Sequence, residues 1–350
     1  MIKVKYCLTV AKGLLFLWLL VFFVGYEPAV ARAEQEERAK IEAAKKEGVL
    51  SFYSVIALPD SVALLEGFKK KYPFIKTELY KSQSEKLLNK ILMEATAKKN
   101  AADVFINNDM ITYITKKKNL LAKYLSPESR FYDEQFNDPE GYWTSCFVVT
   151  RVLAYNTNLV KPKDVPRSYE DLLDPKWKGK LGAHSEENAW FPAQLKIMGR
   201  EKGLAFMNKL AQQNPSIRTG RMLALQLLAA GEYEIVVVAN AHLVEALKKT
   251  GAPLEWVPMG PVVTDLMPIT VAAQAPHPNA ARLFVDFVLS QDGQKILRHF
   301  NRIPTRTDVL PNPPRLLKGL KLIPSDRELL AGDVQLYRDI FMKGPRHQKP

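Results

Sequence analysis

Cysteine is almost missing from this 350-residue chain, with Cys7 and Cys146 the only two. Histidine is scarce as well, at 184, 242, 277, 299 and 347. The sequence has no CxxC, HExxH, GxSxG, GxxxxGK[ST] or GxGxxG motif, and so lacks the common signatures of thiol redox, zinc hydrolysis, serine hydrolysis and nucleotide binding. His184-Ser185 beside Glu186 and Glu187 offers a base, a hydroxyl and carboxylates, but neighbours on one loop rarely converge as a triad does. No catalytic residue and no cofactor is expected. Long blocks of one charge are also absent. The formal charge is +13, yet the lysine runs 69–71 and 116–118 are short, separated and not interleaved with aromatics. They read as solvated helix faces and not as a nucleic-acid surface.

The N-terminus carries a targeting pattern. Lys3, Lys5 and Lys12 precede an apolar stretch at 13–25, and Ala31-Arg32-Ala33 supplies a small-x-small cleavage site. The apolar run is shorter than the ~18 to 20 residues that span a bilayer. Residues 1–33 are therefore read as a signal peptide cleaved before Glu34, and the protein as exported. Cys7 precedes the apolar run, so it is not a lipoprotein acylation site. The mature chain stays basic and keeps only Cys146, which rules out an intramolecular disulfide and leaves stability to an ordinary core. Apolar residues, 47% of the sequence, are sufficient for one. Cys146 is read as part of that core.

From Glu34 onward, short apolar strands alternate with amphipathic helices. Strands are expected at 49–53, 75–80, 102–106, 146–154, 180–183, 235–239 and 264–273, with a return crossing at 256–261. Helices are expected after Asp60, after a Ser82–Glu85 capping box, at 188–200, 201–213 and 221–230, and after Asn279. The alternation argues for an α/β protein with a largely parallel sheet covered on both faces. The run 146–154 is long enough to pass between two lobes. The tail 344–350 is expected to be disordered.

One stretch organises the chain, SYEDLLDPKWKGKL at 168–181. Ser168 is placed to cap a short helix, Asp174-Pro175 stops it, Trp177 provides an apolar anchor and Gly179 a bend into the next strand. This stretch resembles the periplasmic substrate-binding proteins of ABC importers, in the iron(III)-type branch of the extracellular solute-binding proteins. EGVLSFYS, SEKLLNKILMEA, AADVF, DPEGYW, LAYNTNLV, AAGEYEI and APHPNAARLFVDFVLSQDGQ follow the order and approximate spacing of that family. The resemblance implies a two-lobed type II periplasmic binding protein, each lobe a mixed, mostly parallel sheet wrapped by helices, with a hinge and a central cleft. Lobe 1 would comprise 34–145 and about 262–305, lobe 2 would comprise 146–261, and 306–343 would form a C-terminal segment of unassigned lobe. A periplasmic monomer with an inner-membrane permease and its ATPase as partners follows from the same resemblance.

Polar residues stand where strands end and helices begin, the places where open sheets bind ligands. They are Ser54, Ser82-Gln83, Asn107-Asn108 and Thr219-Gly220-Arg221. By resemblance, Ser54, Ser82, Gln83, Asn107, Asn108, Tyr155, Asn156, His184, Ser185, Arg221, Asn240 and His242 match cleft positions, with core and turn roles equally open for Tyr155 and Asn156. Iron(III)-binding members of the family typically carry adjacent tyrosines where this chain has Asn240-Ala241-His242. The favoured ligand is accordingly a small organic anion or zwitterion, held by paired donors of Arg221 with Glu186 and Glu187 available for a cationic end. The alternative is iron(III) or another metal on His184, His242 and Glu186, and a hydrolase or scaffold reusing the fold ranks below both.

Overall fold

The computed structural model describes residues 29–187, 189–325 and 330–342. The signal-peptide reading falls mostly, and the tail reading wholly, outside them. The described residues begin with helix α1 (Ala29–Glu47), followed by β1 (Val49–Ser54), α2 (Leu58–Lys71), β2 (Lys76–Lys81), α3 (Ser84–Thr96), β3 (Val104–Ile106), α4 (Asp109–Lys117) and β4 (Leu121–Ala122). After two short 3-10 turns come β5 (Thr144–Asn156), β6 (Leu181–His184), α5 (Trp190–Met198), α6 (Arg200–Gln212), β7 (Ser216–Arg218), α7 (Arg221–Ala230), β8 (Ile235–Asn240) and α8 (Ala241–Lys249). The last part comprises β9 (Leu254–Val257), β10 (Val262–Ala272), α9 (Pro278–Leu289), α10 (Gln291–His299), β11 (Ile303–Pro304), β12 (Leu322–Pro324) and α11 (Leu330–Phe341). None of the described helices is long and apolar enough to cross a membrane.

The strands lie in the order β2-β1-β3-β10-β5-β8-β6-β7. β1 runs parallel to β2 and β3, and β6 runs parallel to β7 and β8. β10 and β5 join these two parallel groups through antiparallel ladders, which makes the sheet mixed. β5 is buried along almost its whole length, and its apolar residues run from Cys146 to Val149 and from Val152 to Tyr155. Its first half, Thr144 to Thr150, pairs with β10, and its second half, Arg151 to Asn156, pairs with β8 and β9. The expected return crossing at 256–261 divides between β9 and the loop that leads into β10.

Each parallel group has its own core. In the first, Phe68 meets Phe284 edge to face at 5.2 Å and Phe52 lies 5.0 Å from the same ring. In the second, Trp177, Trp190, Phe191, Tyr169 and Met207 pack together, and the Trp190 indole donates to the Tyr169 hydroxyl at 2.8 Å. Trp177 is the buried anchor that the organising stretch suggests, and Gly179 adopts φ 77° in the bend after it. Cys146 is fully buried, and its thiol is pushed up to about 12 by desolvation.

Local capping rules gave way to tertiary partners at several helix starts. Asp60 lies inside α2, which starts at Leu58 with Ala57 as its cap, and its carboxylate receives Arg302 instead. α3 is capped by Gln83 without a side-chain bond, so Ser82 and Glu85 form no capping box. The short helix after Ser168 is a pair of 3-10 turns, where Asp171 accepts from the amides of Arg167 and Ser168. Asn279 does not cap α9. Glu47, at the end of α1, accepts from the amides of Asn279 and Ala280 at 3.0 and 2.8 Å and from the Asn279 side chain at 2.7 Å. A carboxylate there satisfies amides with no partner inside the helix and meets the positive end of its dipole. Glu47→Ala is expected to cost about 0.5 to 2 kcal/mol, measured by urea denaturation, with Glu47→Gln recovering part of the loss.

Candidate functional site

The parallel strands of both groups end in polar residues that open into helices. In the first lobe, β1 ends at Ser54, Ser82 follows β2 and Asn107 follows β3; in the second, β6 ends at His184, Thr219 follows β7 and β8 ends at Asn240. The helix starts of α2, α3, α4, α7 and α8 follow these strand ends. A groove of about 700 Å³ is lined by Tyr113, Lys116, Glu140, Trp143 and Lys196, among others, and by none of these strand-end residues.

In the first lobe, most of the expected residues are tied to the protein itself. The Ser54 hydroxyl shares a 2.9 Å bond with Ser61 and accepts from the Ile56 amide. The Ser82 amide donates to the Ser54 carbonyl, and Gln83 is exposed. Asn108 caps α4 by accepting from the Ile111 amide at 2.9 Å, and its Nδ2 donates to Ser84 at the start of α3. Asn107 differs. It is 1% exposed, and neither its Nδ2 nor its Oδ1 has a hydrogen-bond partner among the described residues.

In the second lobe, His184 Nε2 accepts from the Gly220 amide at 3.1 Å, and its Nδ1 lies 2.9 Å from the Glu186 carbonyl and 3.0 Å from the Glu186 amide. Ser185 bonds Thr219, and the Tyr337 hydroxyl of α11 donates to the His184 carbonyl at 2.5 Å. The paired donors of Arg221 grip Glu187 at 2.9 and 3.2 Å, so the carboxylate foreseen for Arg221 is internal. Glu187 is therefore committed and not open to a cationic ligand end. His184, His242 and Glu186 do not assemble, and among the described residues no group of three His, Cys, Asp or Glu side chains is placed to hold a metal ion.

Two arginines that sequence reading missed stand between the lobes. Arg151 Nη1 donates to Asn240 Oδ1 at 2.5 Å, and its Nη2 donates to Asp265 of β10. Arg302 Nε donates to Asp60 at 2.5 Å, its Nη1 donates to His242 Nε2 at 3.1 Å, and its guanidinium lies 5.5 Å from the Phe147 ring centre. Each of the three arginines thus has its own carboxylate. Burial, reinforced by Arg302, Arg151 and Arg221, holds His242 well below the usual histidine range, and it is neutral with its proton on Nδ1. That Nδ1, Arg151 Nε and Asp265 Oδ1 are buried polar atoms with no partner among the described residues. Arg151 and Asp265 did leave a signal, as lone charges inside otherwise apolar strands; Asp60 and Arg302 left none.

Tyr155 and Asn156 lie elsewhere. They pair with the start of β8 and with β9, whereas Asn240 closes the far end of β8, roughly 16 Å away at ~3.3 Å per residue. Tyr155 packs into the second core. The Asn156 side chain donates to the carbonyls of Leu228 and Ala229 and accepts from Asn158. Both are core and turn residues, not cleft residues.

Two stability effects follow. Glu187 is 1% exposed, so Arg221→Ala leaves a buried charge alone and is expected to cost about 3 to 5 kcal/mol, with Arg221→Met/Glu187→Leu recovering most of it, read by chemical denaturation. His184 and His242 are both held below their ordinary pKa, by burial first. The unfolded chain then takes up protons first, so stability present at neutral pH falls as pH drops below about 6.5. Denaturation at a series of pH values should show this, and His242→Gln should flatten it.

A family profile described as "Bacterial extracellular solute-binding protein" matches residues 90–324. The Iron uptake protein A1 of Synechocystis sp. (strain ATCC 27184 / PCC 6803 / Kazusa) is 24% identical over 249 residues, 65% of this chain and 67% of the relative. The Fe(3+)-binding periplasmic protein of Serratia marcescens is 24% identical over 249 residues, 68% of this chain and 72% of the relative. Among solved structures, iron-bound HitA from Pseudomonas aeruginosa superposes with a TM-score of 0.68 at 25% identity, covering 83% of this chain and 99% of HitA. The profile spans more than half of the sequence, and the strand-end site agrees with it: the chain belongs to the bacterial extracellular solute-binding proteins and is a two-lobed, type II solute-binding receptor of the ABC-importer class.

Proposed function

We propose that this receptor captures a small organic zwitterion or anion in the periplasm and hands it to an inner-membrane ABC permease. The observation that carries the reading is the matched set of charges at the facing strand ends. Arg151, Arg221 and Arg302 each hold a carboxylate, and the neutral His242 lies among them. A hard metal cation needs uncommitted anionic oxygens, and these carboxylates are committed to guanidinium groups. A solute carrying both charges, or one charge and several hydroxyls, suits such a site better. Its donors and acceptors would meet the unpartnered atoms of Asn107, His242, Arg151 and Asp265. Ser54, Ser82, Gln83, Asn108, His184, Ser185 and Arg221 would then shape the walls, and Asn107, Asn240 and His242 would lie nearest the solute.

Export rests on the basic, apolar and small-x-small pattern of residues 1–33, together with the periplasmic placement of the Serratia relative. The lobes of this reading are 34–145 with about 262–305 and 146–261, and the change of partner along β5 from β10 to β8 and β9 supports the division. Action as a monomer that binds without catalysis is part of the same reading.

A second reading, iron(III) binding, is favoured by the names of the relatives, which are iron uptake and Fe(3+)-binding proteins. The segment Asn240-Ala241-His242 argues against it, because neither an amide nor a neutral imidazole bonded to arginine replaces a phenolate pair.

Thermal unfolding of the purified protein with 2-aminoethylphosphonate, glutamate, glycine betaine, citrate and ferric citrate decides between them. A bound solute at a hundred times its dissociation constant adds about 2.7 kcal/mol, a shift of several degrees. Stabilisation by a zwitterion or an organic anion is expected. Stabilisation by ferric citrate, with none from citrate or the other solutes, overturns the leading reading in favour of the second.

A further inference from the structure

The two arginines between the lobes are built alike. Arg151 takes a carboxylate from β10 and an uncharged acceptor, Asn240, from β8. Arg302 takes a carboxylate from α2 and an uncharged acceptor, His242, from α8. In both cases the carboxylate belongs to the first lobe and the neutral acceptor to the second. The two acceptors are only two residues apart, at the junction of β8 and α8.

The junction shows signs of being given over to this contact. Asn240 is the N-cap residue of α8, a position where asparagine usually bonds the amides of its own helix, yet it makes no such bond. Its Oδ1 goes to Arg151 instead. His242 is 3% exposed and Asn240 8% exposed, so water competes little for either bond. Phe147 beneath the Arg302 guanidinium steadies its plane.

The two contacts have different leverage. Arg151 sits where β5 changes partner, since Thr150 pairs with Thr264 of β10 and Arg151 itself pairs with Asn240 of β8. Its bonds lie on the pivot and fix the hinge angle. Arg302 belongs to the loop between α10 and β11, off the hinge strand, and β11 pairs with the first-lobe half of β5. Separation of the lobes would break Arg302–His242 while leaving Arg302–Asp60 intact, because the latter lies within the first lobe.

We propose that Arg151 and Arg302 are positioning residues that hold the two lobes together, Arg151 by setting the pivot and Arg302 by latching onto His242. These bonds join protein groups only, so they favour approach of the lobes before any solute contributes, and a solute then shifts the population only by its preference for the joined arrangement. The latch is independent of which solute is carried.

The test uses spin labels at Lys69→Cys on α2 and Lys209→Cys on α6, both exposed and one on each lobe, in a Cys7→Ser background. Cys146 is fully buried and stays unlabelled. Pulsed electron–electron resonance is recorded on dialysed protein with no solute added. His242→Phe keeps an aromatic ring and removes the acceptor, and His242→Gln keeps an acceptor. The expected result is a single short distance in the parent and in His242→Gln, and a shift of the population to a longer distance in His242→Phe. An unchanged distribution in a His242→Phe protein that melts cooperatively overturns the latch. Should His242→Phe not fold, Arg302→Gln cuts the same bond from the other side and must lengthen the distance, and failure to do so equally overturns it. A solute panel that found no ligand would leave this result untouched, so the two proposals fail separately.

Discussion

The architecture depends on one strand serving two sheets. β5 offers its hydrogen bonds to β10 over Thr144 to Thr150 and to β8 and β9 over Arg151 to Asn156. β5 is also buried along almost its whole length, which accounts for its apolar residues and makes the charge at Arg151 unusual. Because β10 and β8 are antiparallel to β5 on either side of the change, the C-terminal ends of both parallel groups come to the same region. The strand-end loops of two separately packed cores can then work on one solute.

Placing three arginines in that region is costly unless each is compensated, since a lone charge out of water is penalised far more than a paired one. Asp265, Glu187 and Asp60 supply the compensation, one to each guanidinium. The consequence is chemical. The region is rich in directional donors, and each of its arginine charges is matched by a carboxylate. His242 fits this arrangement, because burial, reinforced by the three guanidinium groups, keeps its imidazole uncharged.

Much of the fold could be read from the sequence because it rests on local periodicity. Apolar runs gave β1, β5, β8 and β10 to within a few residues, and Gly231, with φ 86°, ends α7 where expected. What could not be read depended on residues far apart in the chain. Asp60 looks like a helix cap until Arg302, 242 residues away, takes its carboxylate. Asn279 likewise looks like a cap until Glu47 reaches the same amides. Asn107 and Asn240 could be singled out as candidates because strand ends in open sheets are where polar residues matter. For Tyr155 and Asn156 the sequence left cleft roles and core or turn roles equally open, and the latter hold because the two residues share a strand with Arg151 but lie at its other end, a difference of register that composition does not carry.

The segment Asn240-Ala241-His242 joins the family question to the mechanical one. A pair of phenolates there would supply charge to a metal. An amide and a neutral imidazole supply none, and both give their acceptor atoms to arginines rooted in or beside the first lobe. The departure from the tyrosine pattern is therefore more than the loss of a ligand set. It places a contact between the two lobes at this segment. A receptor built this way does not need its solute to bridge the lobes by charge alone, and smaller, softer differences between solutes can then govern which one stabilises the joined arrangement.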